Sequence, residues 1–144
     1  VASKRVSSAQ LAPLLRDAIT RFTRRLRRVR PIGELTLNQL SALTSLELAG
    51  ALTPRELADT ERVQPPTMTK TLAKLEERGL VQRTPHPTDG RQVILSATES
   101  GRAVVAEDRR ARAAWLTQRL AALTPEERDT LHRAIDILDR LGRE

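Results

Sequence analysis

Leucine, isoleucine, valine and alanine recur every three or four residues over most of the chain, a spacing that lines them up on one side of a helix. Leu11, Leu15, Ala18, Phe22, Leu26 and Val29 form one stripe, closed by Arg30-Pro31-Ile32-Gly33. Leu37, Leu40, Leu43 and Leu46 form a second, closed by Gly50, and Leu131, Ala134, Ile135, Leu138 and Leu141 form the last. Helix starts are marked by a Ser or Thr followed three residues later by Gln or Glu, because those side chains satisfy the unpaired N–H groups of a first turn. Ser7 with Gln10 and Thr36 with Gln39 are two such starts. Thr53-Pro54-Arg55-Glu56 and Thr124-Pro125-Glu126-Glu127 add a proline at the first helical position, where its missing N–H costs nothing. Helices are therefore expected from Ser7 to about 30, 37–49, Pro54 to about Thr60, Pro65–Arg78, 99–122 and 125–141. Between Gly79 and Thr98 the pattern changes. Leu80–Thr84 and Arg91–Leu95 read as two strands, joined across Pro85-His86-Pro87-Thr88-Asp89-Gly90, where prolines and an Asp-Gly pair enforce a turn. The fold class is mainly α with a small β-hairpin wing, and the middle of the chain is a winged helix-turn-helix.

Composition narrows the function. A chain of 144 residues has room for one compact fold, burying roughly 68–70% of its unfolded surface, and for no separate catalytic domain. Having no cysteine, it can form no disulfide, thiolate zinc site or cysteine nucleophile. His86 and His132 are too few for a metal centre, and no glycine-rich phosphate cradle is present. The adjacent pairs Glu76-Glu77, Glu107-Asp108 and Glu126-Glu127 point about 100° apart on a helix and do not converge on a bond. The expectation is a protein that is not an enzyme and has no cofactor. Neither an apolar run of signal-peptide length nor one able to span a bilayer occurs, so a cytoplasmic location is expected.

The net charge of +7 favours a polyanionic partner. Its distribution is uneven. Residues 1–34 carry nine Lys and Arg against two acids, whereas 53–95 carry seven against six. Any nucleic-acid affinity of the middle segment must therefore come from placement rather than bulk charge.

On the helix from Pro65, Met68, Leu72 and Leu75 share one side; Pro66, Lys70, Ala73, Lys74 and Glu77 lie opposite, flanked by Thr67 and Thr69. A buried side backed by short hydroxyls and lysines suits a helix in the major groove, although an amphipathic surface helix shares the pattern. Arg91 stands at the hairpin tip, where an arginine can enter a narrow minor groove. Asp89 is expected to position the wing by holding Arg91 or Arg83 through a charge-assisted hydrogen bond; a solvated turn charge is the plainer alternative. His86 is either a phosphate contact or plain loop. Trp115, with Phe22, is either core or interface, or lines a ligand pocket.

These residues together resemble the MarR family of bacterial regulators. The matching stretches are Thr53-Pro54-Arg55-Glu56-Leu57-Ala58, Pro65 to Gly79 with Leu80-Val81, Asp89-Gly90-Arg91, and Thr98-Glu99-Ser100-Gly101. The chain departs from the family pattern in the turn Glu61-Arg62-Val63, where the family often has an apolar residue, Gly and Val, and at Ala97, which replaces a usual leucine. The resemblance implies a homodimer in which residues 1–34 and 99–144 form a helical dimerisation region and 35–98 form the winged helix-turn-helix, all in one compact fold. It implies a pseudo-palindromic double-stranded DNA operator and repression relieved by a small-molecule effector. It makes Gln64, Pro66, Thr67, Thr69, Lys70 and Lys74 the positions for groove or phosphate contacts and Arg91 the minor-groove arginine; Arg83 and His86 join the expected DNA-binding set from their own place in the hairpin, not from the resemblance.

The cluster Arg21, Arg24, Arg25, Arg27, Arg28 and Arg30 surrounds the polar side of the first helix. It reads as a solvated face, a flank that attracts phosphate, or a partner for acids on the long helices. A membrane-surface helix fits poorly, because its apolar stripe is already required for packing. Two further functions fit the same residues: a weakly specific architectural DNA-binding protein, and a helical adaptor for acidic proteins.

Overall fold

The computed structural model describes residues 6–29 and 35–143. Six helices and one hairpin follow in the order α1 (Ser8–Arg28), α2 (Leu37–Ala49), α3 (Pro54–Glu61), α4 (Pro65–Glu77), β1 (Val81–Pro85), β2 (Val93–Ala97), α5 (Glu99–Ala121) and α6 (Pro125–Leu141). All four capping boxes read from the sequence are formed, at Ser7, Thr36, Thr53 and Thr124. Thr53 shows the reciprocal arrangement: its N–H donates to the Glu56 carboxylate at 2.7 Å and its hydroxyl accepts the Glu56 N–H at 3.2 Å. The expected stop at Arg30-Pro31-Ile32-Gly33 lies outside the described residues, as does Arg30 of the arginine cluster.

The chain divides into two compact units, residues 1–30 with 111–144, and residues 31–110. The second holds the core. Leu40, Ala42, Leu43 and Leu46 of α2, Leu57 and Ala58 of α3, Met68, Leu72 and Leu75 of α4, Leu95 and Ala97 of β2 and Val105 of α5 are all buried there. Leu37, expected on the inner stripe of α2, is instead 46% exposed, because it opens the helix beside its cap. The unit runs on through Arg110, beyond residue 98, because the first turns of α5 bury Gly101, Val105 and Asp108.

The hairpin pairs Val81 with Ala97 through to Pro85 with Val93. Its strands begin one and two residues later than the sequence pattern suggests. Arg91 and Gln92 are taken up by the tip instead, their N–H groups donating to the Asp89 side chain and main chain at 3.0 Å each. Leu52 adds a bridge to the other side of Leu95, at 3.1 and 2.8 Å.

The first unit has a different character. Neither α1 nor α6 has a buried residue. Leu11, Phe22, Leu131, Ile135, Leu138 and Leu141, all on the predicted stripes, are between 42% and 68% exposed. Among the described residues no helix is long and apolar enough to cross a membrane.

Candidate nucleic-acid interface

The interface is built from α3, the turn, α4 and the hairpin. α3 ends in Arg62, which adopts left-handed backbone geometry (φ 53°, ψ 42°) and is the positive-φ non-glycine residue of the described chain. The turn closes all the same, with the Val63 N–H donating to the Ala58 carbonyl at 3.0 Å. A left-handed non-glycine residue costs roughly 1–2 kcal/mol; burial of Met68, Leu72 and Leu75 beyond it offsets that cost.

α4 starts on two prolines, Pro65 and Pro66, with Gln64 as its N-cap. The Gln64 side chain makes no cap bond. Its carbonyl instead accepts the N–H groups of Thr67 and Met68 at 3.0 and 3.1 Å. The inward side is fully occupied, with Met68 at 3%, Leu72 at 1% and Leu75 at 0% exposure. Gln64, Pro66, Thr67, Thr69, Lys70 and Lys74 are all exposed, so the structure puts the six expected positions of this helix on its outer side or leading end.

They are not equally available. Thr69 donates its hydroxyl hydrogen to the Pro65 carbonyl at 3.0 Å, leaving its lone pairs outward. Lys74 is tied to Glu77 at 3.0 Å in a solvent-exposed pair, one worth little in stability. Lys70 has no ionic or hydrogen-bonding partner among the described residues, which makes it the unengaged lysine of the face.

α4 ends in a Schellman arrangement, with the Leu80 N–H on the Leu75 carbonyl and the Gly79 N–H on the Glu76 carbonyl, both at 2.9 Å. Gly79 supplies the required positive φ of 68°. This turn leads directly into β1.

The wing tip is organised by two side chains. The Nδ1 atom of His86 accepts the N–H groups of Thr88 and Asp89 at 3.2 and 3.1 Å. The Asp89 carboxylate accepts the Arg91 N–H at 3.0 Å and the Gln92 side-chain amide at 3.1 Å. Two expectations are thereby corrected. Asp89 grips the main chain of Arg91, not its guanidinium, because the two-residue separation brings the N–H within reach first. Arg83 turns from the wing to α4 and pairs with Glu76. The Arg91 guanidinium is left exposed and unengaged among the described residues, at the end of a tip stiffened from beneath.

Sequence reasoning passed over two exposed cations of the helix-turn-helix, Arg55 in the first turn of α3 and Arg62 in the turn before α4. The Thr53-Pro-Arg-Glu start was the signal for Arg55; periodicity carries none for Arg62. The carboxyl of Glu56 sits below the usual carboxylate range, chiefly because the Thr53 N–H and hydroxyl bond to it, with a smaller contribution from His86. Among the described residues no three His, Asp or Glu side chains come close enough to hold a metal ion.

Within the first unit, Phe22 and Trp115 meet as a tilted ring pair 6.2 Å apart, and the Arg119 guanidinium lies 5.4 Å from the Trp115 ring centre. Arg25, Arg28, Val29, Trp115 and Arg119 line an open cleft of about 470 Å³. None of Arg21, Arg24, Arg25, Arg27 and Arg28 is ion-paired to a described acid of its own unit.

The profile described as MarR family matches residues 35–93. An HTH-type transcriptional regulator of Mycobacterium tuberculosis is 50% identical over 92% of this chain and 92% of its own length. The HTH-type transcriptional repressor MdtR of Bacillus subtilis is 34% identical over 65% of this chain and 60% of its own. A solved Mycobacterium tuberculosis protein superposes with a TM-score of 0.82 at 25% identity, covering 100% of both chains.

Proposed function

This chain is a non-enzymatic, DNA-binding transcription regulator of the MarR family, and from that premise we propose that it is a cytoplasmic homodimeric repressor of a pseudo-palindromic operator. The observation that carries the reading is the pairing of two unengaged cations on well-anchored supports: Lys70 on the outer side of α4 and Arg91 on the Asp89-held tip. A lysine there reaches phosphate or guanine in the major groove, while the tip arginine enters the minor groove. Gln64, Pro66, Thr67, Thr69 and Lys74 complete the groove-facing set. Arg83 contributes through its hold on Glu76, and His86 by shaping the tip. Residues 35–98 form the reading region; 1–34 and 99–144 form the dimerisation region. Dimerisation is supported by the apolar stripes of α1 and α6, which one chain leaves uncovered.

A repressor role is favoured by MdtR being named a repressor. An effector that relieves repression finds a candidate place in the cleft beside Trp115, where three arginines and an indole offer charge and a flat apolar surface. The fold presents one reading helix per protomer, so the operator should carry two half-sites about one helical turn apart, near 10 bp.

The test uses duplexes selected from the source genome and titrated with the wild-type protein, Lys70→Ala and Arg91→Ala. Each variant should fold normally and lose about 1–3 kcal/mol of operator affinity. Wild-type affinity in both folded variants would overturn the assignment of the two grooves. A specificity ratio near one against competitor DNA would replace the operator reading with weakly specific binding.

A further inference from the structure

The Thr98-Glu99-Ser100-Gly101 stretch lies away from the outer side of α4. Gly101 is buried and Thr98 half-buried. Thr98 makes four hydrogen bonds, one of them the ordinary first-turn bond in which its carbonyl accepts the Arg102 N–H at 2.9 Å. Its hydroxyl donates to the Gly79 carbonyl at 2.6 Å and accepts the Gly101 N–H at 3.1 Å. Its own N–H donates to the Leu80 carbonyl at 3.0 Å. Gly79 and Leu80 are the residues that terminate α4, so one threonine caps α5 while holding the end of α4.

Gly101 completes the contact. A Cβ built there would run into the Leu80 carbonyl and come within 3.1 Å of the Leu43 side chain. Any other residue would push the first turn of α5 off the corner between α4 and β1. Further along α5, Arg102 donates to the Ala97 carbonyl at 2.9 Å and Arg109 pairs with Glu47 of α2 at 2.8 Å. The Arg109 pair is largely solvent-exposed and contributes weakly. The Thr98 contacts are directed at main chain, and Gly101 beside them is buried.

We propose that Thr98 and Gly101 are positioning residues for DNA recognition: they lock the end of α4 to the start of α5, so that α5 dictates where the recognition helix points. This rests on the proposed dimer on a two-part operator. In such a dimer both recognition helices must engage at once, and a rigid joint makes affinity fall steeply when the half-sites are moved apart. A loosened joint lets each α4 re-aim, at the expense of affinity at the best spacing.

The test titrates the full-length protein against operator duplexes whose half-sites are separated in single base-pair steps. The wild type should lose about a hundredfold when they are moved by two base pairs, because simultaneous engagement fails. Thr98→Val, which removes the hydroxyl but keeps the shape, should lose about tenfold at the best spacing and show a flattened spacing profile. Thr98→Ser restores the hydroxyl and should restore the steep profile; Gly101→Ala should flatten it. Should Gly101→Ala not fold, Thr98→Val decides. A folded Thr98→Val protein with the wild-type profile, whatever its affinity, overturns the joint while leaving the operator reading intact. A flat profile for the wild type itself overturns the two-part operator, and the joint with it.

Discussion

The two units use the same local signals and end in opposite conditions. α3 and α6 both start on a Thr-Pro-x-Glu capping box, and α4 and α6 both carry an apolar stripe at helical spacing. Yet Met68, Leu72 and Leu75 are buried, while α6 has no buried residue at all. An amphipathic stripe reports that a face will be covered and is silent on what covers it. In residues 31–110 the cover over α4 is supplied by α2, α3 and β1 of the same chain; the stripes of α1 and α6 have no such cover among the described residues.

The largest expected effect comes from breaking the internally covered side. Leu72→Ala should destabilise the protein by about 2–5 kcal/mol, read as a lowered urea midpoint. The matching change on the other side is Ile135→Asp with Leu138→Asp, at positions 52% and 42% exposed in the single chain. That double variant should keep its helical circular dichroism yet sediment as a monomer and lose about a hundredfold in operator affinity; a folded dimer with unchanged affinity would show that α6 is not the covered face.

The smallest effect separates the two Thr-Pro starts. Glu56 is held below its ordinary 4.5 by the Thr53 N–H and hydroxyl, and Glu126 is lowered by its own N–H and the Thr124 hydroxyl. A carboxyl with a depressed folded value stabilises the fold above about pH 4.5, and that contribution disappears as the pH drops through the folded value. Wild type should therefore exceed Glu56→Gln in urea midpoint at pH 7, and the gap should narrow as the pH is lowered below 4.5. The same comparison for Glu126→Gln should move the global midpoint less, because α6 does not belong to the buried core.

Most helix limits could be read from the sequence because they are set by chemistry within four residues: a cap, a proline, a stopping glycine. Where reading failed, the cause lay in bonds that periodicity does not encode. The second strand starts at Val93 and not Arg91 because Asp89 draws two N–H groups into the tip. The outward set on α4 was legible since it is the complement of Met68, Leu72 and Leu75. The state of each charge was not, since Arg83 finds Glu76 only once the hairpin lies beside α4. Periodicity says nothing of the left-handed geometry at Arg62; its one signal is that Arg62 stands where the resembled family often has Gly, the residue that adopts such geometry freely. Thr98 and Gly101 were visible as a spacing, and only the fold reveals what they grip.

One consequence follows from the double proline at the head of α4. A helix normally enters a groove with several spare amide hydrogens, and any nucleic-acid backbone can satisfy them. Here Pro65 and Pro66 have none, and the next two are spent on the Gln64 carbonyl. The leading edge is a rigid hydrocarbon wedge with no main-chain appetite for phosphate. Whatever α4 holds on DNA, it holds through side chains, and each of those can be changed one at a time without disturbing the helix that presents it.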